Sequence, residues 1–251
     1  MSDYTEFEAP QGLHTRGTVV VVPGRGETHG TYSRLGRRLA ADAYQVRVID
    51  PPAVEETDIA GSLSRLAGKL AAAVADAELP RPLVLAGADS GAAAIAALLA
   101  GRERSAPWWP DGVVLAGLPG YGGGETKNWE EELEVRTSCV VHRGVLSGDP
   151  SVQRGSLAVA VPDELLDTVY AGGVDVPQLI LAGDADPLAD RDALARAVKT
   201  APTARFSVVH GAHHDVLNDR QHRSVAAEIV TFLETLGNNL VPVLTVESST
   251  W

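Results

Sequence analysis

The sequence predicts an α/β fold, a doubly wound and mostly parallel sheet interrupted by one short insertion. Three observations carry this. Apolar, β-branched runs alternate with helical patterns along most of the 251 residues, as expected of strands joined by crossover helices. Several of these runs are apolar throughout rather than alternating, so the sheet they form is covered on both faces. Small and polar residues collect just after several runs, and open parallel sheets gather their chemistry at those carboxyl ends.

Taken in order, Thr18–Val22 (TVVVV) reads as a buried strand, followed by a Gly-rich turn and a helix over residues 32–42. Residues 45–50 (QVRVID) form the next strand, stopped by Pro51 and Pro52. A long helical pattern covers 59–77, a short strand 83–86 (LVLA), a very Ala-rich helix 91–100 and a further strand 112–118. Residues 178–182 (QLILA) and 205–209 (RFSVV) are two more strands, with a helix over 190–200 between them and a last helix over 222–236. The rhythm breaks once. About fifty-five residues separate two strands at 119–173, far more than a usual connection. This stretch opens on a hinge-like GYGGG (120–124) and contains an acidic helical piece at 129–135 and a second helix at Asp163–Tyr170. The expected organisation is one domain, with residues 1–119 and 174–251 as core and 120–173 as a small lid or cap over the site.

Composition bounds the function. Apolar residues make up 45% and charged residues 22%, an ordinary balance for a globular domain. Aromatics are 5%, so the core rests on Val, Leu, Ile and Ala. A net charge of −12 leaves no basic stripe for nucleic acid or an anionic membrane. The single cysteine, Cys139, excludes an intramolecular disulfide and stands without partners at zinc-like spacing. Neither a metal nor a cofactor is expected. The first residues have no basic and apolar leader pattern, and no apolar run reaches membrane-spanning length. The expectations are a cytoplasmic location and a small-molecule partner. The tail holds one more apolar run, LVPVLTV (240–246), which would pack back on the domain or serve self-association in a homodimer.

Three strand ends carry the candidate chemistry. The first reads LVLAG-Ala88-Asp89-Ser90-Gly91. A strand running straight into a helix through a sharp turn pushes the central side chain outward and needs small neighbours. Gly87 and Gly91 supply them and put Asp89 at the centre. A frame shifted by one would make Ser90 the nucleophile but places Ala where Gly fits better. The second end is Gly183-Asp184-Ala185-Asp186-Pro187, where Asp186, with Asp184 as runner-up, is placed to orient a histidine. The third is His210-Gly211-Ala212-His213-His214, from which His214 is selected over His213.

The order nucleophile, acid, histidine resembles the α/β-hydrolase superfamily. In its serine members the strand after the lid ends in Gly-x-x-Asp, written here Gly183 to Asp186. The lysophospholipase-like branch often ends in Gly-x-x-His-acid-x-Leu-Asn-acid, written here Gly211 to Asp219 and favouring His214. The resemblance spans residues 18–236. It also implies an oxyanion hole after TVVVV, where Pro23-Gly24-Arg25-Gly26 stands in place of the family's His-Gly-x. By position, the N–H groups of Arg25 and Ser90 face the developing charge, with Gly24 giving room. The turn matches neither a P-loop nor a GxGxxG dinucleotide turn.

An aspartate nucleophile restricts the chemistry. Carboxylate attack on an ester gives an anhydride and gains nothing, whereas attack at an sp3 carbon gives an ordinary ester that a His-activated water hydrolyses. This elbow resembles those of epoxide hydrolases and haloalkane dehalogenases. The resemblance implies a hydrolase of small apolar molecules, in its most specific form an epoxide hydrolase of secondary metabolism. Tyr121 and Tyr170 would take the place of the lid tyrosines that protonate an epoxide oxygen, and His142 and Arg143 would contact substrate from the lid. The departures are Ser90 where dehalogenases have Trp, Pro-Gly-Arg-Gly where epoxide hydrolases have His-Gly-x-Pro, and a shorter lid. Two alternatives stay open: a cofactor-free lyase or eliminase using Asp89 and His214 as acid and base, and a serine esterase or thioesterase using Ser90.

Overall fold

The computed structural model describes residues 4–51, 54–75, 79–101 and 104–248. Seven strands form one sheet: β1 (Tyr4–Phe7), β2 (Thr18–Val22), β3 (Gln45–Ile49), β4 (Leu83–Ala88), β5 (Gly112–Ala116), β6 (Gln178–Gly183) and β7 (Ala204–Val209). Their spatial order is β1-β3-β2-β4-β5-β6-β7. Every pairing is parallel except that of β1 with β3. The chain leaves β2 toward β3 on one side and returns to β4 on the other. The crevice between the carboxyl ends of β2 and β4, paired through Val22 and Gly87, is therefore the topological switch point where open α/β sheets hold ligands.

The apolar strands are buried on both faces because side chains alternate across the pleat. Val19, Val21, Val46, Val48, Val84 and Val114 point into one core with α1 (Ser33–Ala41) and α8 (His222–Gly237). Val20, Val22, Leu85, Val113, Leu115 and Ile180 point into the other. There they meet α2 (Ile59–Ala73), α3 (Asp89–Ala100), α6 (Asp163–Tyr170) and α7 (Arg191–Thr200). The small residues of α3, Ala92 to Ala94 and Ala96, let this helix pack closely under the sheet and are all buried.

The inserted segment divides in two. Its last helix, α6, is a wall of the core: Leu165, Leu166 and Val169 are buried in the same cluster as the helix after the elbow. The expectation of a lid over all of 120–173 is corrected to that extent. The earlier part holds α4 (Trp129–Arg136) and α5 (Val140–Gly148), with a small apolar cluster of their own made by Leu133, Leu146, Val152 and Trp129.

The sequence pattern missed two elements. β1 (YTEF) is a half-buried edge strand, held where Arg47 pairs with Glu6 at 2.8 Å and lies over the Tyr4 ring. α5 begins Val-Val-His-Arg-Gly-Val, with Val140, Val141 and Val145 exposed, a composition that does not announce a helix. The strand of 83–86 extends to Ala88 and α3 starts at Asp89 rather than Gly91. Pro52 and the expected helix end at 76–77 lie outside the described residues. The apolar tail does not pack back on the domain, since Leu240, Val241, Val243, Leu244 and Val246 are exposed. Among the described residues no helix is long and apolar enough to cross a membrane.

Candidate active site

Asp89 is the first residue of α3 and has a φ of +48°, a left-handed conformation that costs a non-glycine residue about 1–2 kcal/mol. Its neighbours make this turn possible. A Cβ on Gly91 would sit 2.5 Å from the Pro23 carbonyl oxygen and 2.6 Å from that of Val22, and one on Gly87 would sit 2.5 Å from the Ala92 Cα. A Cβ on Gly24 would meet the Asp89 Cβ at 2.8 Å. The turn after β2 and the elbow after β4 thus touch through glycines.

The Asp89 carboxylate is held from two sides. Arg25 grips it three times. Its backbone N–H donates to Oδ2 at 2.9 Å, its Nε to Oδ2 at 2.8 Å and its Nη2 to Oδ1 at 2.7 Å. His214 Nε2 lies 3.2 Å from Oδ1, and His214 Nδ1 lies 3.0 Å from Asp186 Oδ2. Burial pushes the Asp89 carboxyl up, but Arg25 and His214 outweigh it and hold the group well below the usual carboxylate range. Burial pushes the His214 imidazole down, and the two carboxylates flanking it reverse this and raise it to about 10. Asp89, His214 and Asp186 are all buried, so these charges act with little screening by water.

The sequence's alternatives separate cleanly in space. Asp184 accepts from the Gly211 N–H at 2.6 Å and pairs with exposed His210 at 2.8 Å, which makes it a turn former. His213 is tied to Asp219 through both its N–H and its Nδ1. Ser90 is buried and lines the pocket beside Asp89, but the ring nitrogen that would activate it lies on Asp89. Tyr121 donates to Asp167 and Tyr170 to the Pro119 carbonyl oxygen, their rings 5.4 Å apart. Neither hydroxyl is directed to Asp89, contrary to the expectation from the lid tyrosines. His142 is corrected too: it is buried, with Nε2 2.8 Å from Asp215 Oδ2, rather than presented to a ligand. Arg143 turns to the Thr137 carbonyl oxygen and Glu130.

A pocket of about 610 Å³ adjoins the site through Arg25 and Ser90, the neighbours of Asp89 in space and in sequence, while Asp89, His214 and Asp186 are not on its lining. Val54, Val159, Val161 and Pro162 give it apolar surface, and Gln153, Arg154 and Ser156 give it donors. Behind the site lies a buried ionic network that the sequence did not reveal. Arg136 donates to Glu132 at 2.9 Å, to the Arg25 carbonyl oxygen at 2.8 Å and, more weakly, to Asp215 at 3.4 Å. Glu27 accepts from the Gly24 N–H at 2.9 Å and from the Tyr32 hydroxyl. Carboxylate and imidazole atoms of Glu27, His142 and Asp215 lie within 4.8 Å of one another, a grouping compatible with a metal ion. Arg136 already supplies the cation there. Asp215 and Asp219 stand at the acid positions of the histidine motif, and nothing in the sequence pointed to their partners.

No protein-family model matches the chain, and no curated protein matches it. Solved structures do. A monoacylglycerol lipase from Paleococcus ferrophilus is 20% identical at a TM-score of 0.68, over 93% of this chain and 98% of that one. A soluble variant of monoglyceride lipase from Saccharomyces cerevisiae is 15% identical at a TM-score of 0.69, over 93% and 91%. The enol-lactonase from Burkholderia xenovorans LB400 is 16% identical at a TM-score of 0.65, over 92% and 95%. This chain has the α/β-hydrolase fold. Asp89, Asp186 and His214 follow the carboxyl ends of β4, β6 and β7 of this sheet.

Proposed function

We propose that the protein is a hydrolase of small molecules that works through Asp89, His214 and Asp186, with an epoxide as the most specific substrate class. One observation carries the reading: a carboxylate on a strained elbow, with one oxygen on the Arg25 backbone N–H and the other 3.2 Å from a histidine backed by a second carboxylate. The names of the similar structures, two lipases and an enol-lactonase, support hydrolysis in the broad sense. The aspartate argues against direct ester cleavage by the same nucleophile.

In this reading Asp89 Oδ1 leaves the Arg25 Nη2 and attacks an epoxide carbon. The carbon–oxygen bond breaks and its electron pair goes to oxygen, which takes a proton. His214, held protonated between its carboxylates, is the nearest acid, so the lid tyrosines are not needed. Ester formation removes the Asp89 charge that stabilised the imidazolium, and His214 then becomes a base. It draws a proton from water, which attacks the ester carbonyl carbon while Oδ2 remains on the Arg25 N–H. The bond from that carbon to Oδ1 then breaks, and the departing diol oxygen takes the proton back from His214, leaving the Asp89 carboxylate with one oxygen from water.

A second reading is favoured by the Arg25 guanidinium, whose two bonds to the carboxylate weaken Asp89 as a nucleophile without preventing proton transfer through His214. The protein would then be an acid–base lyase of the same fold. Mass analysis of the Asp89 peptide after the unaltered protein has turned over styrene oxide or 2,3-epoxyhexanoate in 18O-water separates the two. The covalent route predicts 18O in the Asp89 carboxylate, because Oδ1 leaves in the diol and a water oxygen replaces it. Turnover of an epoxide with no label in Asp89 would sink the covalent step. An acyl group trapped on Ser90 from an activated ester would select the esterase frame.

A further inference from the structure

The grip of Arg25 on Asp89 has a second meaning, one that concerns the substrate and rests on the functional reading above. We propose that Arg25 is the receptor for a carboxylate on the substrate, and that this carboxylate takes the place of Asp89 on the guanidinium.

The geometry fits such an exchange. The Arg25 side chain is nine-tenths buried and yet lines the pocket. Its Nε and Nη2 form a planar fork on the two oxygens of a carboxylate, the arrangement a guanidinium makes with any carboxylate. Its remaining nitrogen, Nη1, is fixed by the carbonyl oxygens of Leu157 and Val159, and its own carbonyl oxygen is held by Arg136. The fork is therefore anchored from behind, independently of Asp89. A ligand carboxylate approaching from the pocket meets a preorganised partner, and the exchange replaces one charge-assisted pair by another.

The rest of the pocket agrees. In a chain of net charge −12, a second arginine, Arg154, lines this cavity and is braced over the Trp129 ring, 5.1 Å from its centroid. Ser90, Ser156 and Gln153 add uncharged polar groups. Of the two acids on the lining, Glu56 is exposed, and Glu27 has its carboxylate committed to Gly24 and Tyr32. The apolar wall of Val54, Val159 and Val161 suits the remainder of a short-chain acid. Exchange also has a consequence for chemistry. It releases Asp89 Oδ1 from Nη2 only when a carboxylate is present, so a substrate bearing that group would be activated as it binds, and a neutral analogue would meet a restrained nucleophile.

Isothermal titration with hexanoate and hexanamide tests this without requiring any turnover. Hexanoate is expected to bind the unaltered protein at least tenfold more tightly than hexanamide. Asp89→Asn, which removes the competing charge, should tighten hexanoate further and leave hexanamide unchanged. Arg25→Gln should abolish the preference, with Arg25→Lys restoring part of it, and circular dichroism verifies that each variant folds. Equal affinity for acid and amide, absence of binding of both, a preference that survives Arg25→Gln, or weaker hexanoate binding to Asp89→Asn would each overturn the proposal. The two readings fail separately. Label in Asp89 after epoxide turnover together with no carboxylate preference removes this inference alone, and a carboxylate preference with 2,3-epoxyhexanoate turned over and no label in Asp89 removes the covalent mechanism alone.

Discussion

Glu27 closes the turn that carries Arg25. Its N–H donates to the Gly24 carbonyl oxygen at 3.3 Å and its carboxylate accepts from the Gly24 N–H, so one residue fixes both ends. Burial, reinforced by the neighbouring Asp215 charge, pushes its carboxyl up to about 7 in spite of Arg136, Tyr32 and His142. A carboxyl whose folded pKa lies above its unfolded value near 4.5 favours folding fully below that value. It loses this contribution as pH rises through 7. Glu27→Gln keeps an acceptor for Gly24 but cannot ionise. Urea unfolding should find it increasingly stable relative to the unaltered protein from pH 5 to pH 8, by on the order of 3 kcal/mol across that range. A difference independent of pH would refute the assignment. At this scale the sequence was uneven. Asp89, Asp186 and His214 were legible because backbone patterns mark their positions: glycines around an elbow, acids and histidines just past strands. The Arg25 side chain, His142 and Glu27 were not, since their roles depend on which charges the fold brings against them. No local pattern encodes that.

At the scale of elements, β2, β4, β5 and β6 were legible because each is an apolar run buried on both faces, and helices such as α3 because nothing in them resists helix. β1 and α5 were missed for opposite reasons. β1 is a half-buried edge strand of mixed polar and aromatic residues, paired antiparallel with β3 and braced by the Arg47–Glu6 ion pair, while α5 exposes valines that favour a strand. The glycines offer a sharper contrast. Gly91 lies in α3 against two backbone carbonyl oxygens that cannot swing away, whereas Gly68 lies in α2 with nothing within 4 Å of an added Cβ. Gly91→Ala is therefore expected to cost about 1–3 kcal/mol by forcing the elbow from β2. Gly68→Ala should add about 0.5–1 kcal/mol by removing unfolded-state freedom. Thermal and urea unfolding of the two single variants measure both signs. A neutral Gly91→Ala would mean that the elbow is looser than its contacts imply.

Across the whole molecule, one buried arginine joins the inserted segment to the site. Arg136 ends α4, is 1% exposed, and reaches Glu132 on its own helix, Ser156 and the Arg25 carbonyl oxygen, with Asp215 from the histidine loop also close. Glu132 in turn accepts from the N–H groups of Gly155 and Leu157, and Asp219 holds Thr137 and Ser138. The segment is thus pinned through charges that are costly to bury and more costly to leave alone. Arg136→Leu strands Glu132 and Asp215 in the interior and is expected to lose about 3–5 kcal/mol. Adding Glu132→Gln should recover part of that loss, because it removes one stranded charge, and the shortfall from full recovery reports the Asp215 share. Arg104→Leu is the control. Its pair with Asp175 is exposed at both partners, and its loss should fall within about 0.5 kcal/mol. If Arg136→Leu proved as mild as Arg104→Leu, or if Glu132→Gln deepened the loss, the network would be a passive contact. A large loss with partial recovery would instead place the anchoring of the inserted segment and of the Arg25 turn in one buried charge cluster.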